Sequence, residues 1–209
     1  MKKRLLALCL ALAMALCLAA CGGEDAEVDR QPPSKEPDAP TANPEGDGSW
    51  AVYWYLCGSD LESGGGFAST DLGEMMEAQL PENVTVVIQT GGSSVWHNDQ
   101  MDPSKLQRWT YTSQGLSLVE ELDSASMGDA QTLYEFLDFA HTNYPADKVA
   151  VTFWNHGGGS VSGAAFDELY DNDSLNLAEM YQAFNEVWPA DTANPALELV
   201  GFDTCLMAT

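Results

Sequence analysis

The chain has 209 residues, enough for one domain with a substantial core. Its 8 Lys and Arg against 32 Asp and Glu give a formal charge of −24, which argues against nucleic acid as a ligand. Such acidity makes either a solubilising surface or an attraction for basic ligands.

The first element is a targeting segment. Lys2, Lys3 and Arg4 precede an apolar stretch of 14 residues, Leu5 to Leu18, too short to span a bilayer comfortably. Leu18-Ala19-Ala20-Cys21 then resembles the lipobox of bacterial lipoprotein signals. That resemblance implies cleavage after residue 20 and lipid on the Cys21 sulfur, anchoring an exported domain to the outside of the bacterial cell membrane. An ordinary secretory signal followed by an unrelated Cys fits the same residues. Loss of residues 1–20 removes three cations and no acid, taking the formal charge to −27. Residues 21–49 are rich in Pro, Asp, Glu and Gly, with almost no large apolar side chain. They cannot bury enough surface to fold and read as a disordered tether to a domain at 50–209.

Within that domain, Trp50 to Cys57 is a nearly continuous apolar run, the pattern of a central strand covered on both faces. Gly58-Ser59-Asp60 and Gly64 to Gly66 read as a flexible loop. A helix capped by Ser69 or Thr70 follows, with Leu72, Met75, Met76 and Leu80 as its apolar face. Val84 to Ile88 is a second buried strand, ending in Thr90-Gly91-Gly92. Residues 105–122 alternate around Ser113-Gln114-Gly115 and predict a β-hairpin. Asp129 or Ser126 caps a helix through about Asn143, with Leu133, Phe136, Leu137 and Ala140 on one face. The run Val149 to Trp154 ends in Asn155-His156-Gly157-Gly158-Gly159. Residues 160–174 read as a polar loop whose acids, Asp167, Glu168 and Asp171 to Asp173, are solvated. Leu175 to Trp188 has helical spacing, and Leu197 to Phe202 is a last strand leading to Asp203-Thr204-Cys205. This order predicts an α/β layered sandwich with a mainly parallel sheet. Ligand sites in such sheets lie beyond the carboxyl ends of the strands, where every Gly-rich loop of this chain also falls.

Of five cysteines, Cys9 and Cys17 leave with the signal and Cys21 goes to lipid, so Cys57 and Cys205 remain. That is neither a disulfide framework nor a metal cluster. One Cys57–Cys205 bridge is compatible with the sequence, as is Cys57 packed at its strand end beside a free Cys205. A thiol nucleophile needs a nearby base and donors for an oxyanion. His156 and Cys205, on the ends of parallel strands, are candidates for general acid/base and nucleophile. The N–H groups of Gly157 and Cys205 are candidate oxyanion donors. Rival chemistries lack their parts. The near match to a hydrolase elbow, Gly159-Ser160-Val161-Ser162-Gly163, has Val where the nucleophile belongs, and no Gly-Lys-Ser/Thr follows Gly64 to Gly66.

Phe153-Trp154-Asn155-His156-Gly157-Gly158-Gly159 and Gly201-Phe202-Asp203-Thr204-Cys205-Leu206-Met207-Ala208-Thr209 resemble the clostripain-like cysteine peptidases, in the clan of caspases, legumain and gingipains. Cys57-Gly58-Ser59-Asp60-Leu61-Glu62 and the Thr90-Gly91-Gly92 strand end are similar to the family's opening blocks. The resemblance runs from Trp50 to Thr209. It implies a caspase-like three-layer fold and cleavage of peptide bonds after Arg or Lys, with protein or peptide substrates carrying basic residues. It implies the roles of His156 and Cys205, and Asp203 as the residue that contacts the basic side chain. Asp203 as a turn cap is the rival reading. Some relatives use calcium, for which this chain has no EF-hand spacing.

Two features depart from the family. Relatives continue well beyond the Cys block, so the domain is expected to be incomplete at its C-terminus, with its Cys strand at an open edge. Relatives are often processed at a basic residue in the loop after the His, and no Lys or Arg follows Lys148. The alternative function is an inactive or truncated surface lipoprotein that binds peptides or a protein partner.

Overall fold

The computed structural model describes residues 48–189 and 197–207. The expected signal, Cys21 and the tether through residue 47 lie outside these, as does most of the loop between Pro189 and Pro195. Eight strands are present among the described residues: β1 (Trp50–Cys57), β2 (Val84–Gly91), β3 (Lys105–Thr112), β4 (Gly115–Asp123), β5 (Lys148–Trp154), β6 (Ala164–Asp167), β7 (Asp173–Leu175) and β8 (Leu197–Asp203). Six form one sheet in the order β4-β3-β2-β1-β5-β8, and β6 pairs with β7 separately. The four strands β2, β1, β5 and β8 run parallel, while β3 and β4 are the antiparallel hairpin read from the sequence. The result is an α/β fold with a mixed, mainly parallel sheet between helices.

The apolar runs of β1 and β5 are explained by burial on both faces. On one face Tyr53, Tyr55 and Phe153 pack against α3 (Ala130–Asn143) and α4 (Leu177–Val187), through Leu133, Phe136, Met180 and Ala183. The Tyr55 hydroxyl is buried but donates to the Met127 carbonyl at 2.8 Å, so it carries no unpaired polar atom. On the other face Leu56, Ile88, Trp109 and Trp154 lie under Leu72 of α2 (Phe67–Glu77) and under Trp96 and Met101 of the following connection. Each such side chain contributes about 1.5–3 kcal/mol on full burial. β8 forms the other edge of the sheet, and Leu199 and Val200 on it are exposed.

Helix starts follow their caps. Asp129 accepts the Gln131 N–H at 2.7 Å, and Asn176 and Glu179 form a reciprocal capping box at the start of α4. Two stretches differ from the sequence reading. The expected glycine loop after β1 is a helix, α1 (Ser59–Gly65), despite its poor intrinsic propensity. Tertiary bonds override that propensity. The Gly58 and Ser59 N–H groups donate to the Gly91 and Gly92 carbonyls at 2.9 and 3.0 Å. Glu62, fully buried, accepts the Ser69 N–H (2.9 Å), the Ser69 hydroxyl (2.5 Å) and the His97 N–H (2.6 Å). Gly66, at φ +67°, ends α1 and opens α2, so the expected caps Ser69 and Thr70 lie inside that helix.

The second difference is in residues 160–174. They hold β6, a 3₁₀ turn (Glu168–Tyr170) and β7 rather than an irregular loop. Asp167 is fully buried and accepts the Met127 and Leu169 N–H groups, each at 2.8 Å. Burial pushes its carboxyl above the usual value. Glu168 accepts the Ser94 N–H at 2.6 Å. These two acids are therefore structural fasteners, while Asp171 and Asp173 are exposed.

All three cations among the described residues sit in strands of the sheet. Lys105 reaches Asp123 across the hairpin at 3.1 Å. Arg108, 6% exposed, donates to Gln89 at 3.0 Å and Glu120 at 2.8 Å and lies over the Phe139 ring. Lys148 lies over the Trp50 ring.

Candidate active site

Because β2, β1, β5 and β8 are parallel, their carboxyl ends share one edge of the sheet. β5 and β8 are direct neighbours, with Trp154 opposite Asp203. His156 and Cys205, each two residues beyond that pair, thus emerge side by side from strands about 5 Å apart. His156, Asp203 and Cys205 line one open cleft of about 530 Å³, walled by Leu61, Phe67 and Trp154. Cys205 and Asp203 are exposed and His156 is half-buried.

Local bonds hold these ends in place. Asn155, 4% exposed, donates to the Cys57 carbonyl at 2.8 Å and accepts the Phe166 N–H at 2.7 Å. It ties the end of β5 to β1 and β6, one residue before His156. The Trp154 indole N–H donates to Asp71 at 2.6 Å, fixing that wall of the cleft to α2. Gly157 lies against the segment that carries Cys205. A Cβ at residue 157 would overlap the Cys205 carbonyl oxygen and come within 2.8 Å of the Thr204 hydroxyl. Opposite Gly157 is Ala164, and the Gly158 N–H donates to the Gly163 carbonyl at 2.7 Å. That bond closes the bridge without using the Gly157 N–H.

His156 Nε2 is 2.8 Å from Asp60 Oδ1. The hydrogen bond to His156 holds the Asp60 carboxyl below its usual value. Asp60 and Asn155 lie within the sequence blocks, but nothing in the sequence marks either for a role. Each acts on a partner 96 or 98 residues away, which no local pattern reveals.

The two domain cysteines are both free. Cys57 is buried, its thiol pointing at the Phe166 carbonyl, and burial together with the Asp167 and Glu168 charges pushes its titration well up. It is an inert strand-end thiol, whereas Cys205 is open to the cleft. Among the described residues no three His, Cys, Asp or Glu side chains converge to hold a metal ion. Asp167 and Glu168 accept backbone N–H groups.

A sequence profile of the Clostripain family, peptidase C11, matches residues 54–209. Clostripain from Hathewaya histolytica is 34% identical over 91 residues, which are 41% of this chain and 17% of that protein. A secreted C11 cysteine protease from Bacteroides thetaiotaomicron, solved with an irreversible peptide inhibitor, aligns over 77% of this chain and 43% of its own, at 24% identity and a TM-score of 0.58. An inactive zymogen C11 protease from Parabacteroides distasonis aligns over 75% of this chain and 42% of its own, at 18% identity and a TM-score of 0.53. At these identities the structures establish a shared fold. The chain spans less than half the length of each of these three relatives.

Proposed function

The chain belongs to the clostripain family of cysteine peptidases, and on that premise we propose that it is an endopeptidase cleaving after Arg or Lys. Cys205 is the nucleophile and His156 the general acid/base. His156 takes the Cys205 thiol proton as sulfur attacks the substrate carbonyl. The same proton goes to the leaving amine when the C–N bond breaks. Water then hydrolyses the thioester and restores the thiol. The Gly157 and Cys205 N–H groups receive the oxyanion, and each such donor is worth roughly 10²–10³-fold in rate. Asp203 pairs with the substrate's basic side chain, a match of carboxylate to guanidinium or ammonium. The protein is exported and held at the membrane through a lipid on Cys21.

The observation that supports the reading is the single cleft lined by His156, Asp203 and Cys205. Full-length protein should hydrolyse Arg- and Lys-terminated reporter peptides, and Cys205→Ala should abolish this. Asp203→Ala should erase the preference for basic residues. Protein inert to such peptides, and unlabelled by thiol-directed acyl reagents, would leave the peptide-binding lipoprotein as the better account. Incorporation of labelled palmitate, lost in Cys21→Ser, tests the anchor.

A further inference from the structure

We propose that Asp60 is the positioning residue of this site: it holds His156 as the Nε2–H tautomer and leaves Nδ1 to exchange the proton with the Cys205 thiol. This rests on the cysteine-peptidase reading above and adds a third side chain to it.

The contact is Asp60 Oδ1 to His156 Nε2 at 2.8 Å. An ionised carboxylate can only accept, so the ring nitrogen facing it carries the hydrogen in both the neutral and the charged imidazole. The remaining lone pair is on Nδ1. Asp60 is kept ionised by the same contact, since His156 draws its carboxyl below the ordinary range.

The chain goes to some length to aim Asp60. The preceding Ser59 is fully buried and has φ +50°, a left-handed backbone that disfavours any side chain. It is held there from the rim of β2. Its N–H donates to the Gly92 carbonyl at 3.0 Å, and its carbonyl accepts the Ser93 hydroxyl at 2.9 Å. Its own hydroxyl donates to Asp60 Oδ1 at 3.2 Å, the oxygen that faces His156. Stability does not account for this. The two side chains of the pair are 67% and 41% exposed, and pairs so open to solvent add little. Strain kept beside an exposed pair at a cleft points instead to orientation of a reacting group. No proton passes to Asp60. The thiol proton moves to Nδ1 and on to the leaving amine, while the Nε2–H stays in the hydrogen bond throughout.

The test uses full-length protein, with Asp60→Asn and Asp60→Glu. The first readout needs no turnover: long-range ¹⁵N–¹H correlation spectra of the His156 ring. The unaltered protein should carry its hydrogen on Nε2, and Asp60→Asn, whose amide can donate to Nε2, should move hydrogen toward Nδ1. The second readout is kinetic. Asp60→Asn should lower kcat for an Arg-terminated peptide by about 10²–10⁴-fold, the span of general acid–base contributions. KM and Tm should stay nearly constant, and Asp60→Glu should recover part of the loss. An Nδ1–H tautomer in the unaltered protein overturns the inference, as does Asp60→Asn turning over at the unaltered rate. If no form hydrolyses the peptide, the peptidase reading fails on that result while the ring spectrum still decides this one.

Discussion

Gly157→Ala offers a test of how the two halves of the site meet. Its backbone φ is not in the left-handed region, so alanine imposes no backbone strain there. The whole perturbation is one methyl group. That methyl overlaps the Cys205 carbonyl oxygen and crowds Thr204 Oγ1 at 2.8 Å and Met207 Cγ at 3.0 Å. The first of these is backbone and cannot rotate away. To reach an ordinary carbon–oxygen separation the Cys205 segment must retreat by about 1 Å, and a displacement of that size at a reacting centre costs about 10²-fold in rate. A tenfold change is about 1.4 kcal/mol, so the loss amounts to about 2.7 kcal/mol in kcat/KM. The control is Gly201→Ala, within the strand that leads to Cys205. Its added Cβ finds nothing closer than the Thr152 hydroxyl at 3.5 Å and should leave activity within a factor of two or so. The assay compares kcat/KM on one Arg-terminated peptide, with Tm measured in parallel. Equal activity for the two variants would refute the contact between the Gly157 and Cys205 backbones.

Glu62→Ala should destabilise without touching substrate. It removes the buried acceptor of three part-buried donors, the Ser69 N–H and hydroxyl and the His97 N–H, at a cost of roughly 3 kcal/mol. For a domain of this size that is a Tm drop of about 6–12 °C by calorimetry, and an unchanged Tm would refute the role given to Glu62. Acid titration tests Asp60 a second way. Its carboxyl is lowered by His156, so the folded state binds fewer protons than the unfolded state and stability rises with pH through this window. The contribution is complete above the ordinary value of 3.8 and is lost as pH falls through the lower folded one. Two-thirds exposure limits it to less than about 1 kcal/mol. Urea unfolding between pH 2 and 5 should show Asp60→Asn without this increment, and superimposable curves for the two proteins would argue against the contact.

The strands were legible because their residues are apolar for a physical reason: β1, β2 and β5 are covered on both faces. The hairpin and the Asp129 cap were legible because their signals are local. α1 was not, since glycines at its end weaken it and its support comes from β2 and a buried Glu62. Nor was Asp167 recognisable as buried, because an acid in a polar run looks solvated until Met127 and Leu169 are found donating to it. At the candidate site, the sequence blocks single out His156 and Cys205, which the structure brings to one cleft. Asp60 could not be paired with His156, as only the parallel order β1-β5 sets the start of α1 beside the end of β5. The choice of Gly157 had a reason beyond the one visible in the sequence, namely the neighbouring Cys205 backbone.

Under the specificity proposed above, for Arg or Lys, such a peptidase is its own nearest substrate. Lys105 and Lys148 each open a strand, and Arg108 sits within one, pinned by Gln89 and Glu120. A peptide bond must be drawn out of its ladder before another molecule's cleft can close on it, so these bonds are shielded for as long as the sheet holds. From residue 149 onward, through the stretch bearing His156 and Cys205, the chain offers no basic residue at all. Autolysis of the described region therefore waits on unfolding. Variants that weaken the sheet should shorten the life of an active enzyme more than they slow it.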